Sequence, residues 1–216
     1  GHEIVLVPQS VSYLDPLMKV GEQVAGGKER ISLEKSRKAL ARYGLDKEVD
    51  HMYPFELSGG MARRVLIGTA VVEQPQLVIA DEPVSALDVS VQAQVINLLN
   101  KLKQEMGLTI LFIAHNLSVV KYFSDRIGVM YFGKLVEMAD SNELFKNPLH
   151  PYTKALLSAI PEPDPLNEKK RVKIHYDPEI HHYGEGKQPS YHEVSPGHTI
   201  YCSDEEFEEY KKEWKA

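Results

Sequence analysis

Apolar residues along the chain fall into two kinds of pattern. Some form short uninterrupted runs, which are typical of strands buried in a parallel sheet, and others recur every three or four residues, as on one face of a helix. We expect strands at residues 4–7, 77–80, 108–114, 127–132 and 135–138. We expect helices at residues 32–43, 61–72, 89–106, 117–123 and 205–214. This alternation predicts an α/β fold with a mostly parallel sheet.

The character of the sequence changes twice and divides the chain into three segments. Residues 1–75 contain a strand followed by a mainly helical region, and residues 76–160 contain the regular alternation of strands and helices. In residues 161–216, prolines, charged residues and histidines predominate, so we expect an irregular C-terminal extension. Within it, residues 162–198 are predicted to be rich in loops.

Charge, cysteine content and hydropathy narrow the possible functions. The net charge of −6 gives the chain no overall attraction to nucleic acid or anionic lipid. Cys202 is the only cysteine, which excludes an intrachain disulfide and a four-thiolate metal site. No apolar run approaches the roughly 18 residues that a membrane-spanning helix needs, so we expect a soluble, cytoplasmic chain.

Histidines are concentrated in the last segment of the chain. Their irregular spacing in a proline-rich stretch favours solvated loop residues over ligands of a metal ion. The residues concerned are His175, His181, His182, His192 and His198.

Two adjacent carboxylates, Asp81 and Glu82, follow the apolar run at residues 77–80. They would lie at the C-terminal edge of a parallel sheet, where α/β proteins bind their ligands. In a P-loop nucleotidase, an Asp at this position holds Mg²⁺ and a neighbouring residue activates the attacking water. Asp81 fits the first role and Glu82 the second. The alternative interpretation of both carboxylates is a strand that ends in a polar turn.

Two further features favour phosphate chemistry. Ser58, Gly59 and Gly60 precede the helix predicted at residues 61–72, and glycines at a helix N-terminus let free N–H groups approach an anion closely. The alternative for these glycines is a simple turn. His115 follows the strand at residues 108–114, at the same sheet edge as the two carboxylates, where it could contact a phosphate or have a purely structural role.

Taken in order, these motifs resemble those of the ATP-binding cassette (ABC) ATPases. Leu57 to Met61 resembles the signature loop of that family, Leu77 to Glu82 its Walker B strand, and Ser85 to Asp88 its D-loop. His115 resembles the switch histidine, and Gln9, just after the first strand, resembles the Q-loop glutamine. The resemblance extends over most of the chain, from the first strand to the prolines that follow residue 160.

The resemblance implies a truncated P-loop NTPase (ABC ATPase) core with a helical subdomain and an irregular C-terminal extension. It implies ATP and Mg²⁺ as ligands, with Mg²⁺ held through Asp81 and Gln9, and with Glu82 and His115 as the catalytic residues. In this family the signature loop binds the nucleotide of a second ATPase subunit. The implied nucleotide contacts are Gln9, Ser58, Gly59, Gly60, Met61 and Asp88.

Three stretches resemble one branch of this family, the importers of oligopeptides, dipeptides and nickel. They are residues 88–94, 147–157 and 195–198. The resemblance implies a homodimer or heterodimer of ATPase subunits, bound to transmembrane permease subunits on the inner face of the cell membrane. Tyr13 and Leu14, just after the Q-loop glutamine, are the expected contacts with the permease, and no nucleic acid is expected as a partner.

The sequence also departs from the family pattern. Met61 replaces the usual Gln of the signature, and Asn116 replaces the Asp that usually follows the switch histidine. No Gly-x-x-x-x-Gly-Lys-Ser/Thr phosphate loop occurs in the sequence. The nearest match, around Lys28, places Glu22 and Glu29 where the first glycine and the hydroxyl residue belong, so we reject it.

These departures lead to an expectation about activity. The sequence is expected to begin after the phosphate loop, so that the intact family member is an ATPase but this chain alone is inactive. The alternative is a non-catalytic partner or regulatory ABC domain that contributes only a signature loop and protein contacts.

Overall fold

The computed structural model describes residues 3–26, 33–72, 74–161, 171–184 and 188–215, without the side chains of residues 33, 35 and 215. The chain divides into two compact units, Gly1–His115 and Asn116–Ala216. Lys28, at the centre of the rejected phosphate loop, lies outside the described residues, as does Ser32, where the first long helix was predicted to begin. The three segments predicted from the motifs remain a prediction.

The first unit contains the strands and helices predicted from its sequence, with ends that agree within two residues, together with the short helix α1, which was not predicted. Its elements are β1 (Ile4–Val7), α1 (Val20–Val24), α2 (Leu33–Arg42), α3 (Gly59–Val71), β2 (Leu77–Asp81), α4 (Val89–Met106) and β3 (Thr109–Ile113). Short 3₁₀ turns lie at Val11–Tyr13, Lys47–His51 and Pro54–Glu56.

Side-chain caps determine where α3 and α4 begin. The Ser58 hydroxyl accepts a 3.3 Å hydrogen bond from the Met61 N–H, so α3 begins at Gly59 and both signature glycines lie in its first turn. The Asp88 carboxylate accepts a 3.0 Å bond from the Val91 N–H at the start of α4. The predicted start of α3 at residue 61 is therefore two residues late.

The sheet of the first unit is parallel, with the strand order β1–β2–β3. In its register, Val7 of β1 pairs with Ala80 of β2, and Asp81 of β2 pairs with Ile113 of β3. Because the strands are parallel, the segments that leave their carboxyl ends emerge at one edge of the sheet.

The two faces of this sheet differ in burial. Val7, Val78 and Ala80 are buried on the face where α3 contacts β1. Leu111 and Ile113, on the opposite face of β3, are 52% and 45% exposed. The prediction that the strand at residues 108–114 is buried is therefore wrong for these positions, because an uninterrupted apolar run does not reveal which face the helices cover.

The second unit begins with a helix and contains an antiparallel sheet. Its elements are α5 (Leu117–Phe123), β4 (Arg126–Tyr131), β5 (Lys134–Asp140), α6 (Ser141–Lys146), α7 (Pro151–Ser158), β6 (Ser190–Ser195), β7 (His198–Cys202) and α8 (Asp204–Lys215). The strand order is β4–β5–β7–β6. The prediction of a loop-rich stretch at residues 162–198 is wrong for β6, which has too little apolar alternation to be recognised and is ordered by pairing with β7.

Buried polar groups connect the elements of this second unit. The Glu137 carboxylate of β5 accepts hydrogen bonds from the backbone N–H groups of Leu149 (2.8 Å) and His150 (3.0 Å). Its Oε1 atom also lies 2.8 Å from Nε2 of His198 on β7. The apolar core beside β7 includes Ile200 and Cys202, and burial raises the pKa of the Cys202 thiol to about 12.

The histidines of the C-terminal segment have different environments. His175 and His182 are exposed, as predicted, and His192 is half-buried. The prediction of solvated side chains is wrong for His198, which is bound to Glu137, and for His181, whose Nδ1 lies 2.5 Å from Oε1 of Glu206. In both cases a carboxylate partner makes burial of the imidazole possible. In the part of the chain that the structure describes, no group of three or more His, Cys, Asp or Glu residues is arranged to hold a metal ion.

None of the described helices combines the length and the apolar character that a helix needs to cross a lipid bilayer.

Candidate active site

Three polar segments meet at the carboxyl edge of the parallel sheet. Gln9 follows β1, Asp81 and Glu82 come at the end of β2, and His115 follows β3. Hydrogen bonds join the side chains of Gln9, Glu82 and His115, and Asp81 is the last residue of the central strand.

Glu82 is hydrogen-bonded on both of its carboxylate oxygens. The side-chain amide of Gln9 donates to Glu82 Oε2 over 2.7 Å. His115 Nδ1 lies 2.9 Å from Glu82 Oε1, so the imidazole N–H donates to the carboxylate. Side chains that follow β1 and β3 thus fix the orientation of the Glu82 carboxylate at the end of β2, the strand between them.

The backbone of Glu82 has an unusual conformation. Its φ of +44° lies in the left-handed region, which costs a non-glycine residue about 1–3 kcal/mol. The Glu82 N–H donates to the Ile113 carbonyl over 2.9 Å, and the Glu82 carbonyl accepts a 2.9 Å bond from the Ser85 hydroxyl. These bonds hold the strained residue in place, and such strain is common at functional sites.

The oxygens at this edge suit a magnesium ion. Mg²⁺ in phosphate sites takes one or two protein oxygens, phosphate oxygens and waters. No hydrogen bond within the described residues occupies the Asp81 carboxylate or the Gln9 amide oxygen. These oxygens are therefore available for a cation, whereas both oxygens of the Glu82 carboxylate already have partners.

The signature loop forms the N-terminus of α3, a helix of 13 residues. A Cβ atom on Gly60 would lie 2.6 Å from Val91 Cγ1, so close packing of α3 on α4 explains this glycine. A Cβ atom on Gly59 would lie 3.6 Å from Leu87 Cδ2, an ordinary contact, and Gly59 itself is exposed. Packing within the chain therefore does not require a glycine at residue 59.

Asp88 and Met61 do not lie in the cluster at the sheet edge. The Asp88 carboxylate caps α4, and hydrogen bonds from the Ser90 hydroxyl and the Val91 N–H lower its pKa. Met61 is half-buried in the first turn of α3. Among the described residues, no hydrogen bond joins Asp88 or the signature loop to Gln9, Asp81, Glu82 or His115.

The structure also shows a residue that the sequence analysis missed. Arg63 of α3 is 4% exposed, and its guanidinium donates to the backbone carbonyls of Pro8 and Gln9. A charged residue on the same helical face as the buried Gly60 and Ile67 was the available signal, because such a position normally holds an apolar side chain.

Tyr13 and Leu14, the two expected permease contacts, differ in exposure. Tyr13 is 72% exposed and accessible to a partner, but Leu14 is 5% exposed, so its predicted contact with a permease is wrong. The Asn116 side chain accepts hydrogen bonds from the Ser118 and Val119 N–H groups and caps α5.

Comparison with protein-family models gives two matches. Residues 1–85 match the family described as ABC transporter. Residues 136–195 match the family described as oligopeptide/dipeptide transporter, C-terminal region.

Several curated proteins are similar to most of the chain. The oligopeptide transport ATP-binding protein OppF of Bacillus subtilis is 52% identical over 205 residues, which are 91% of this chain and 67% of that protein. AmiF of Streptococcus pneumoniae, with the same description, is 54% identical over 83% of this chain and 58% of its own length. The dipeptide transport ATP-binding protein DppF of Lactococcus lactis is 44% identical over 92% of this chain and 66% of its own length. The chain thus spans about three-fifths to two-thirds of the length of these relatives.

Two solved structures are similar to about two-thirds of the chain. CbiO1 of Clostridium perfringens, part of the ABC transporter complex CbiONQ, has 27% identity and a TM-score of 0.60, over 67% of this chain and 59% of that one. A dimeric ATP-binding cassette in a post-hydrolysis state, bound to ADP and Pi, has 26% identity and a TM-score of 0.56, over 65% of this chain and 63% of that one.

Proposed function

The chain belongs to the ATP-binding proteins of ABC oligopeptide and dipeptide transporters, and from this membership we propose that it drives peptide import by hydrolysing ATP. The main support is the hydrogen-bonded arrangement of Gln9, Glu82 and His115 at the sheet edge. We propose oligopeptides or dipeptides as cargo rather than nickel, because the relatives described above are named for peptides.

Glu82 is the proposed general base. The amide of Gln9 and the imidazole of His115 hold its carboxylate in one orientation, and the carboxylate accepts a proton from the attacking water. Asp81 and the amide oxygen of Gln9 would hold Mg²⁺, which neutralises charge on the phosphates when it is bound with ATP. His115 is the proposed contact with the γ-phosphate.

The N-terminus of α3 is the proposed phosphate contact for the nucleotide of a second ATPase subunit. Helix N-termini present unpaired N–H groups and the positive end of the helix dipole to an anion. Gly59 is exposed there and has no side chain to keep a phosphate away. The Ser58 hydroxyl accepts the capping bond, so its own hydrogen remains available to donate.

The proposed partners are a second ABC ATPase subunit and transmembrane permease subunits, at the cytoplasmic face of the cell membrane. Tyr13 and Leu17, which are exposed in the segment after Gln9, are the proposed permease contacts. No nucleic acid is included among the partners, since the overall charge of the chain is negative.

A second candidate function is a non-catalytic subunit that supplies only its signature loop. The observation in its favour is that Gly59 is exposed at the N-terminus of α3, where packing within the described residues does not require a glycine. This candidate predicts that Gly59 is needed for transport and that Glu82 is not.

Uptake of a labelled oligopeptide by cells distinguishes the two functions. The variants replace the chromosomal copy, so that the protein is tested as the cell makes it. Glu82→Gln should abolish uptake, and Gly59→Asp should do the same by placing a negative charge against the phosphate while remaining compatible with a helix N-terminus. Glu105→Gln, which affects an ion pair with Arg42 away from the sheet edge, is the control and should preserve uptake.

Two results would decide against the proposal, and a third would show that the assay is not specific for the site. Normal uptake by Glu82→Gln together with lost uptake by Gly59→Asp would establish the non-catalytic alternative. Normal uptake by both variants would contradict both functions. Loss of uptake by the Glu105→Gln control would show that the assay responds to folding rather than to the site.

A further inference from the structure

Arg63 is a buried cation beneath the candidate active site. It lies near the start of α3, is 4% exposed, and has a pKa that burial lowers. Within the described residues its guanidinium forms no ion pair, and its Nε atom has no hydrogen-bond partner. Burial of a charge without a counter-ion is unfavourable, so the hydrogen bonds that hold Arg63 in this position must offset part of that cost.

Those contacts are two consecutive carbonyl groups of the segment that leaves β1. Arg63 Nη1 donates to the Pro8 carbonyl over 2.9 Å, and Nη2 donates to the Gln9 carbonyl over 2.7 Å. A guanidinium presents these two donors in a fixed planar fork, which the single ammonium of a lysine cannot reproduce. The pair of bonds therefore fixes both the position and the direction of the backbone at Gln9.

The same residue, Gln9, orients the proposed general base. Its backbone carbonyl is held by Arg63, and its side-chain amide donates the 2.7 Å hydrogen bond to Glu82 Oε2. A continuous series of hydrogen bonds thus runs from α3, the helix of the signature loop, through Gln9 to the carboxylate of Glu82.

We propose that Arg63 is a positioning residue for ATP hydrolysis, which holds the backbone of Gln9 so that the Gln9 amide stays bound to Glu82. The inference rests on the proposed function, in which Glu82 activates water. Arg63 acts only through Gln9, so its effect on hydrolysis depends on the side chain of Gln9. A residue that merely stabilises the fold would not show this dependence.

A double-mutant cycle on the ATPase activity of the assembled transporter tests this dependence. Arg63→Met removes the fork, Gln9→Ala removes the amide but keeps the backbone carbonyl, and the two changes are also combined. In the wild-type background, Arg63→Met should lower kcat by roughly tenfold to 100-fold with little change in KM for ATP. In the Gln9→Ala background the same change should alter kcat by less than about twofold.

Arg64→Met is the matched control, since it removes an arginine from the same helix. Arg64 donates to the Gly44 carbonyl and contacts Gln94, and it does not contact Gln9. Its effect on kcat, whatever its size, should be equal in both Gln9 backgrounds. Arg63→Lys keeps the charge but not the fork, so it should give a kcat between those of wild type and Arg63→Met. If Arg63→Met does not fold, Arg63→Lys takes its place in the cycle.

Equal effects of Arg63→Met in the two backgrounds would overturn the proposal, and so would an unchanged kcat in the wild-type background. A second measurement is independent of catalysis. The side-chain amide signals of Gln9, identified by their loss in Gln9→Ala, should move in the ¹⁵N–¹H spectrum of Arg63→Met and stay in place in Arg64→Met. If Glu82→Gln shows that Glu82 is not the base, the proposed function fails. The Gln9 amide signals then still decide whether Arg63 positions Gln9. Unchanged signals in Arg63→Met would refute that role of Arg63.

Discussion

The side-chain amide of Gln9 donates a 2.7 Å hydrogen bond to Glu82, although 73 residues separate the two in sequence. The contact exists because β1 and β2 are adjacent parallel strands, so the residues that follow them emerge side by side. Since the nitrogen of the amide faces Glu82, its oxygen remains available to a cation. One side chain can therefore orient the base and bind Mg²⁺.

Replacement of Gln9 separates these two roles. Gln9→Glu substitutes an anion for the donor beside Glu82 but keeps an oxygen for Mg²⁺, whereas Gln9→Ala removes both. We expect both variants to lower kcat by on the order of tenfold to 100-fold. Only Gln9→Ala should raise the Mg²⁺ concentration needed for half-maximal ATPase activity, and an equal increase in both variants would contradict a direct contact between the amide oxygen and Mg²⁺.

The two signature glycines should respond differently to alanine. Gly60→Ala places Cβ 2.6 Å from Val91 Cγ1, so the Val91 side chain or the packing of α3 on α4 must shift, and we expect the free energy of unfolding to fall by about 1–3 kcal/mol. Gly59→Ala meets only an ordinary contact at 3.6 Å and should leave stability within about 1 kcal/mol of wild type. Urea denaturation of both variants measures the difference.

Replacement of Val91, the residue that the new Cβ at Gly60 would contact, provides the control. Val91→Ala removes the methyl group that the new Cβ would meet, so Gly60→Ala should cost less in the Val91→Ala background than alone. An equal cost in both backgrounds would show that the packing of α3 on α4 does not explain Gly60.

His150 should make the stability of the protein depend on pH. Burial, and then the charge of His181, lower its pKa from 6.5 to about 4, while Glu137 and Glu206 act in the opposite direction. The unfolded chain therefore takes up the proton first on acidification. The stabilising contribution of neutral His150 is complete above pH 6.5 and is lost as the pH falls towards 4, with a total of about 3 kcal/mol.

His150→Asn isolates this effect, because asparagine does not titrate and can still accept the capping bond from the Tyr152 N–H. Between about pH 7 and about pH 4.5, we expect the variant to lose less stability in urea denaturation than wild type. The exposed His175→Asn serves as the control and should follow wild type. Parallel losses in wild type and His150→Asn would contradict a buried neutral imidazole.

Much of the candidate site could be predicted from the sequence because its residues follow strands with strong apolar runs. Once Ile4–Val7, Leu77–Asp81 and Thr109–Ile113 are parallel neighbours, Gln9, Glu82 and His115 must meet at one edge. The hydrogen-bond partners were beyond prediction, since they depend on side-chain rotamers and on the left-handed backbone of Glu82.

Other features could not be predicted because they depend on tertiary contacts. The burial of His181 and His198 results from pairing with Glu206 and Glu137, which are distant in sequence, so their spacing gave no signal. The contact between Arg63 and the segment after β1 is recognisable only in the structure, where the carbonyls of Pro8 and Gln9 lie beside the guanidinium. The strand β6 was missed because its sequence is polar and its order comes from pairing with β7.

The most direct test of the account is a comparison of ATP binding and ATP hydrolysis in the assembled transporter carrying Glu82→Gln. Glutamine keeps an acceptor for the Gln9 amide but cannot take a proton from water, so hydrolysis should fall by roughly 10²–10⁴-fold while ATP remains bound. Hydrolysis at the wild-type rate would contradict the assignment of Glu82 as the general base. Loss of ATP binding along with hydrolysis would contradict it as well, by giving Glu82 a role in holding the nucleotide rather than in activating water.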